Sequence, residues 1–308
     1  MNLPRLVHRD LTLPSLVFRL LALALFVAAP LRAEAAGEAT LNIDIGKTDH
    51  ATLIGEMVLV TVRGVYDLTI TREEMEIPAI RNFDWVQLTR DTWRRERING
   101  REYVVVERRL AVFPRKSGRL QIGPFVHHLT IRGPDGKWTP RDVTAPPVTL
   151  QVKDRPGDLF DRWLAASAVK MTESWSRDPG KLRDGETAER TITLRIAGAL
   201  PQMVQPQPLM MEPWLITFRS KEQRSVELTP DGPITTVTWA WRYRPVTGEP
   251  GVLRDYSIPW FDTTSRKMRE ILLEPVPIGY ASFGKNRSAQ IVGRQGGRLG
   301  LGLACLAG

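Results

Sequence analysis

The chain has 308 residues, 42% hydrophobic and 25% charged, which is enough apolar material for two ordinary globular cores. Its net charge is +9, and its single cysteine, Cys305, excludes an intramolecular disulfide, CxxC redox chemistry and cysteine-rich zinc sites. The basic residues are mostly interleaved with acids, as in Arg94-Arg95-Glu96-Arg97, so they read as a solvated face rather than a nucleic-acid tract; an anionic membrane surface is the charged partner that remains.

Residues 1–35 read as an export signal. Arg5, His8, Arg9 and Arg19 form a positive n-region, and residues 20–29 form an apolar run too short for a comfortable membrane span. Ala33-Glu34-Ala35 supplies small residues for cleavage. From residue 36 the pattern has period two. Leu41, Ile43 and Ile45 share a face, as do Val58, Val60 and Val62, then Ile192, Leu194 and Ile196, then Val237, Trp239, Trp241 and Tyr243. Alternate side chains of a strand face opposite ways, so each run buries one face and wets the other. Turn signals punctuate the runs at Asn99-Gly100, Lys116-Ser117-Gly118, Pro134-Asp135-Gly136 and Asp231-Gly232. The expected fold class is all-β, with antiparallel sandwiches.

Landmarks repeat at an offset of 130 residues: Gly55-Glu56 with Gly185-Glu186, Pro78 with Pro208, Gly118 with Gly248. The segment from Ile122 to Phe125 is matched to the one from Ile258 to Phe261. One order at one offset indicates a duplicated domain. The expected division is a leader over 1–35, a sandwich over 36–152, a linker over 153–168 with a short helical turn over 159–166, a second sandwich over 169–280, and a tail over 281–308. Residues 271–275 and a little beyond form the expected last strand. The apolar end of the tail, residues 299–308, is about half the length of a membrane span, and reads equally as a truncated anchor or an unstructured end.

An ordered set of segments carries a family resemblance. Ile98-Asn99-Gly100, Phe113-Pro114-Arg115-Lys116-Ser117-Gly118 and Ile122-Gly123-Pro124-Phe125 lie in the first half. Trp163-Leu164-Ala165-Ala166, Trp175-Ser176, Gly185-Glu186, the run from Arg190 to Leu194, Tyr243-Arg244-Pro245 with Gly248, and the run from Ile258 to Thr263 follow. Over residues 38–280 the order resembles the BatD, or oxygen tolerance, family of bacterial envelope proteins. The resemblance implies tandem immunoglobulin-like domains, a membrane anchor, and partnership with von Willebrand A-domain membrane proteins and a MoxR-type ATPase. It implies neither a catalytic site nor a cofactor. The chain departs from the family pattern at Ala165, where proline is usual, and at its C-terminus.

The residues themselves point the same way. His127 and His128 are adjacent in an expected strand and face opposite sides, so the pair cannot chelate one ion, and no metal or cofactor site is expected. There is no G-x-S-x-G elbow, P-loop or dinucleotide fingerprint, and no enzyme activity is expected. Of the nine tryptophans, Trp239 and Trp241 are expected in a core. Trp260-Phe261 places one ring on each face of a strand and, with Asp262, forms the expected partner-contact patch. The expected function is a non-catalytic, periplasmic, membrane-associated scaffold; the alternative is a sandwich that binds cell-wall glycans.

Overall fold

The computed structural model describes residues 37–46, 50–133, 135–156 and 163–281. The leader expected over 1–35, and the tail beyond Ala281, lie outside the described residues. Among those described there is no α-helix, and no helix long and apolar enough to cross a membrane. The first half folds as β1 (Ala39–Ile45), β2 (Thr52–Leu53), β3 (Val58–Tyr66), β4 (Ile70–Glu76), β5 (Phe83–Gln87), β6 (Thr92–Ile98), β7 (Arg101–Pro114), β8 (Gly118–Ile122), β9 (Phe125–Arg132), β10 (Trp138–Ala145) and β11 (Val148–Lys153). A five-stranded sheet runs β1-β3-β7-β5, with β6 collinear to β5 along the long β7; β10-β9-β4 and β2-β11-β8 form two three-stranded sheets. The inward residues of all three share one core, among them Leu41, Val60, Tyr66, Leu110, Phe125, Leu129 and Ile122. The alternation that forms each strand also fills this sandwich.

The second half repeats the plan with β12 (Ala165–Ala166), β13 (Ala168–Trp175), β14 (Ala188–Ala197), β15 (Leu215–Arg219), β16 (Gln223–Thr229), β17 (Gly232–Pro245), β18 (Gly251–Leu253), β19 (Tyr256–Asp262), β20 (Lys267–Leu273) and β21 (Val276–Ile278). Its five-stranded sheet, β13-β14-β17-β15 with β16 on β17, has the order of the first. Even the parallel contact of Thr52 with Val152 recurs, as an isolated bridge from Leu182 to Tyr280. The second core centres on Trp239, Trp241 and Tyr243, wholly buried on one face of β17. Both cores belong to one compact unit that begins at Ala39.

Two turn signals act as their chemistry dictates. Asn99 and Gly100, with φ of 49° and 83°, form the two-residue loop between β6 and β7, because both central positions of such a turn need the left-handed region. Gly55 and Gly185, with φ of 76° and 75°, shape identical turns. In each, the following glutamate gives its backbone N–H to a carbonyl and takes the backbone N–H of that same residue on its carboxylate: Leu53 for Glu56, Arg183 for Glu186. The repeated Gly-Glu pair is thus a self-closing turn that delivers the chain into β3 and β14.

Three sequence expectations are corrected. Ala165 and Ala166, expected in a helical turn of the linker, form β12, parallel to β19; residues 159–162 of that expectation lie outside the described residues. Alanine's helix preference yields because β12 fills the slot beside β19 that β4 fills beside β9, where Phe261 N–H and Thr263 N–H bond to Leu164 and Ala166 carbonyls at 2.7 and 2.9 Å. The match of Ile122–Phe125 to Ile258–Phe261 is not a topological one. Ile122 ends β8 opposite the first residue of β11, as Leu253 ends β18 opposite the first of β21, whereas Ile258 lies inside β19. The last strand is β21, because Pro275 has no N–H to continue the ladder beyond β20.

Alanine at Gly185 meets nothing within 4 Å, whereas at Gly55 it meets Trp163 Nε1 at 3.3 Å. Gly185→Ala is expected to cost about 1–2 kcal/mol from its backbone alone, and Gly55→Ala more, measured as unfolding free energy in urea.

Candidate functional site

The residues expected to meet a partner are buried inside the chain. Trp260 enters the second core. Phe261, on the other face of β19, stacks on Trp163 with ring centroids 5.4 Å apart, under the Arg266 guanidinium at 4.8 Å. Asp262 accepts the backbone N–H groups of Thr264 and Ser265 at 2.9 and 3.0 Å and pairs with Arg269 at 2.7 Å. The amide bonds of its tight turn, with help from Arg269, hold its carboxyl below the usual aspartate range. The partner-contact patch expected from Trp260, Phe261 and Asp262 is not exposed: β19 is central in its sheet, and the face turned away from the core is covered by Trp163.

That cover is part of a junction between the two sandwiches. Trp163 Nε1 donates to the Ile54 carbonyl at 2.8 Å. Leu88, Ala111 and Phe113 of the first sandwich pack on Leu200 of the second, with Met57, Val86 and Met203 around them. Met57 lies over Gly232, where a Cβ would approach its sulfur to 2.6 Å. At the rim Arg266 Nη1 meets Glu56 Oε1, and Nη2 donates to the Ala51 carbonyl at 3.2 Å. Glu56 is 5% exposed, so its second oxygen holds the turn of its own sandwich while the first holds the other sandwich.

A second constellation lies in the first sandwich. His127 is wholly buried, Tyr66 Oη is 2.7 Å from its Nδ1, and Glu73 Oε2 is 2.8 Å from its Nε2. An ionised carboxylate can only accept, so Nε2 carries the proton and the Tyr66 hydroxyl donates to Nδ1. The chain hydroxyl–imidazole–carboxylate has the order of a catalytic triad, but Tyr66 is also wholly buried, and burial with the Glu73 charge pushes its phenol well above its usual range. It holds no nucleophile that a substrate could reach. Its product is instead a fixed carboxylate: Glu73 lines an open cleft of about 270 Å3 with Trp93 and Val104. Trp93 stands 6.0 Å from the His127 ring and is 40% exposed. An indole beside a positioned carboxylate can hold a sugar face, or a cationic group.

The second sandwich has a counterpart. Arg190 is wholly buried, bonds Glu173 through Nε at 3.0 Å, donates to the Glu274 carbonyl at 3.3 Å, and lies over Trp175 at 5.5 Å. Its Nη1 and the hydroxyl of Tyr243 are buried without a partner, and burial raises the Tyr243 phenol above its usual range. The sequence shows Arg190 only as the first residue of a run; its place on the inward face with Ile192 and Leu194, two residues apart, is the signal that was missed. Among the described residues no group of acids, histidines and cysteines is placed to hold a metal. No protein-family model matches the chain, and no curated protein matches it.

Two expectations can be measured. Desolvation is the largest effect on His127 and lowers its pKa below 6.5, against the opposing pull of Glu73 and of Asp91; Arg108 adds to the lowering. As pH falls below 6.5 the unfolded chain takes up a proton that the folded one refuses, so stability is lost. His128 next to it is shifted up by Asp142 and Glu76 and acts in the opposite sense, its contribution fading as pH rises through its folded pKa. In a His128→Gln background, urea unfolding free energy should therefore fall below pH 6.5 by up to about 1.4 kcal/mol per pH unit. Adding His127→Gln should flatten that slope. At the junction, Arg266→Ala takes the cross-sandwich partner from a buried carboxylate, leaving it the Leu53 N–H and His50, and should cost about 2 kcal/mol by the same measurement.

Proposed function

We propose that this chain is a non-catalytic scaffold of the cell envelope, exported by its leader and held near the membrane, in a Bat-type assembly with von Willebrand A-domain proteins and a MoxR-type ATPase. Two things support the reading. One is the ordered resemblance across residues 38–280. The other, which carries the argument, is the locked junction. Interfaces between domains of one chain are commonly modest and polar, and let the domains move. Here an apolar cluster, a Trp163–Phe261 stack and the Glu56–Arg266 pair fix one sandwich on the other. Fixing orientation costs conformational freedom, and the gain comes where one assembly reads surfaces on both halves at once.

A second reading is favoured by the cleft between Trp93 and Glu73, whose indole and fixed carboxylate suit a glycan. The two separate in one set of measurements. The tagged full-length chain is crosslinked in its native envelope, recovered, and its companions identified by mass spectrometry. Enrichment of von Willebrand A proteins or the ATPase is the expected result, weakened in Arg266→Ala. A recovery no different from an untagged control would sink the scaffold reading. Retention on purified peptidoglycan that is lost in Trp93→Ala would put glycan binding in its place.

A further inference from the structure

The loop before β5 and the strand β8 border an open cleft of about 520 Å3, a volume within the range of small-molecule sites. Its walls carry Arg81, Lys116 and Arg119, with Asn82, Ser117 and Gln121 between them, and no lining residue is acidic. Among the described residues none of these three cations has an ion-pair partner. Asp84, two residues beyond Asn82, is engaged by Arg115 at 3.7 Å. Several other basic side chains of the same sandwich are neutralised, Arg63 and Arg94 by Glu96 and Glu107 and Arg108 by Asp91, so what distinguishes these three is that they gather around one concavity. Three unpaired like charges around one concavity repel each other, and a concave wall of one sign focuses the field on whatever enters.

The duplication supplies an internal comparison. A neighbouring place in the second sandwich, between the loop before β15 and the residues after β18, carries Leu209, Met211 and Tyr256 beside Glu212 and Asp255, and its one arginine, Arg254, is paired with Glu212 at 2.7 Å. The same fold therefore tolerates a cleft near this place without unpaired cations, so the fold does not require the positive version.

We propose that the cleft of the first sandwich binds a phosphate-bearing anion. Two guanidinium forks match phosphate oxygens in pairs, the lysine adds a point charge, and the amide and hydroxyl groups of Asn82, Gln121 and Ser117 supply neutral donors. Such a phosphate has two sources, a lipid headgroup or a soluble phosphorylated molecule. The site is independent of the scaffold reading and survives its failure.

The test uses the full chain, with pyrophosphate followed by calorimetry and phosphatidylglycerol vesicles followed by co-sedimentation against phosphatidylcholine, all at low salt. The triple variant R81Q/K116Q/R119Q is compared with R97Q/K221Q/K267Q, which removes the same charge from three exposed residues outside the cleft. Unchanged unfolding midpoints check that both remain folded. The cleft variant should weaken binding about tenfold or more while the control retains it. Vesicle binding that pyrophosphate displaces identifies a lipid headgroup; pyrophosphate binding without vesicle binding identifies a soluble ligand. The proposal is overturned if both triples weaken binding equally, if vesicle binding resists both pyrophosphate and the cleft variant, or if the wild-type chain binds neither probe.

Discussion

The carboxylate of Glu56 holds two structures at once, and the arrangement of the molecule follows from it. One oxygen closes the turn at Gly55 on the Leu53 N–H, and the other receives Arg266 from the second sandwich. With the turn fixed, the Ile54 carbonyl is presented to Trp163, which can approach because Gly55 has no side chain. With Arg266 fixed, its guanidinium covers Phe261, and Phe261 in turn stacks on Trp163. Glu186 closes the equivalent turn in the second sandwich, but its other oxygen pairs with Arg177 nearby, at 2.8 Å and half-exposed. The same local device thus carries a long-range function in one copy and none in the other. A charge this buried is tolerated only while each oxygen keeps its partners, so the turn and the junction stand or fall together.

Much of the fold was legible because local chemistry and tertiary structure agree. Period-two runs gave the strands and their inward faces, Asn99-Gly100 gave a hairpin, and the Gly-Glu pairs marked the duplication because the turn needs both residues. What escaped was wherever a second surface overrides the local rule. The run Leu110-Ala111-Val112-Phe113 abandons alternation, which is the mark of a strand covered on both faces: Leu110 and Val112 enter the first core while Ala111 and Phe113 meet the second sandwich. Trp260, Phe261 and Asp262 were misjudged for the same reason, since alternation says which side a ring takes and not whether that side is covered. Ala165-Ala166 has helical propensity, and only a vacant place beside β19 makes it a strand.

The candidate clefts were less legible than the fold. Glu73 and His127 are 54 positions apart, and the cleft cations come from the loop before β5 and, more than thirty residues further along the chain, from the turn after β7 and strand β8. Adjacency of His127 and His128 did yield the correct division between a buried and an exposed face, but sequence offers no sign of which ring finds an acid on each side. Charge interleaving also misled in one respect. It describes β6 and β7 well, where arginines and glutamates pair across strands, and fails at Arg81, Lys116 and Arg119, whose neighbours along the chain are not acids.

The two buried basic side chains share a geometry that explains why a core would keep them. Glu73 lies opposite Leu129, and His127 lies opposite Met75, two residues along β4. Glu173 lies opposite Ile192, and Arg190 lies opposite Trp175, two residues along β13. In both cases an acid on an outer strand reaches diagonally to a buried imidazole or guanidinium on its neighbour. These outer strands have few fully buried anchors: Met75 is the single buried residue of β4, and on β13 Val169, Met171 and Trp175 are only half-buried against the core. Hydrophobic pattern ordinarily sets register, because a slip by one residue turns every side chain to the wrong face, and on these strands that pattern is only partly buried. A slip of β4 would instead carry Glu73 away from His127 and leave a buried imidazole without an acceptor, a penalty that the apolar residues alone do not impose. The buried pairs need not add net stability to do this; they make one alignment of each outer strand cheaper than its neighbours, and the Glu73 cleft inherits its shape from that alignment.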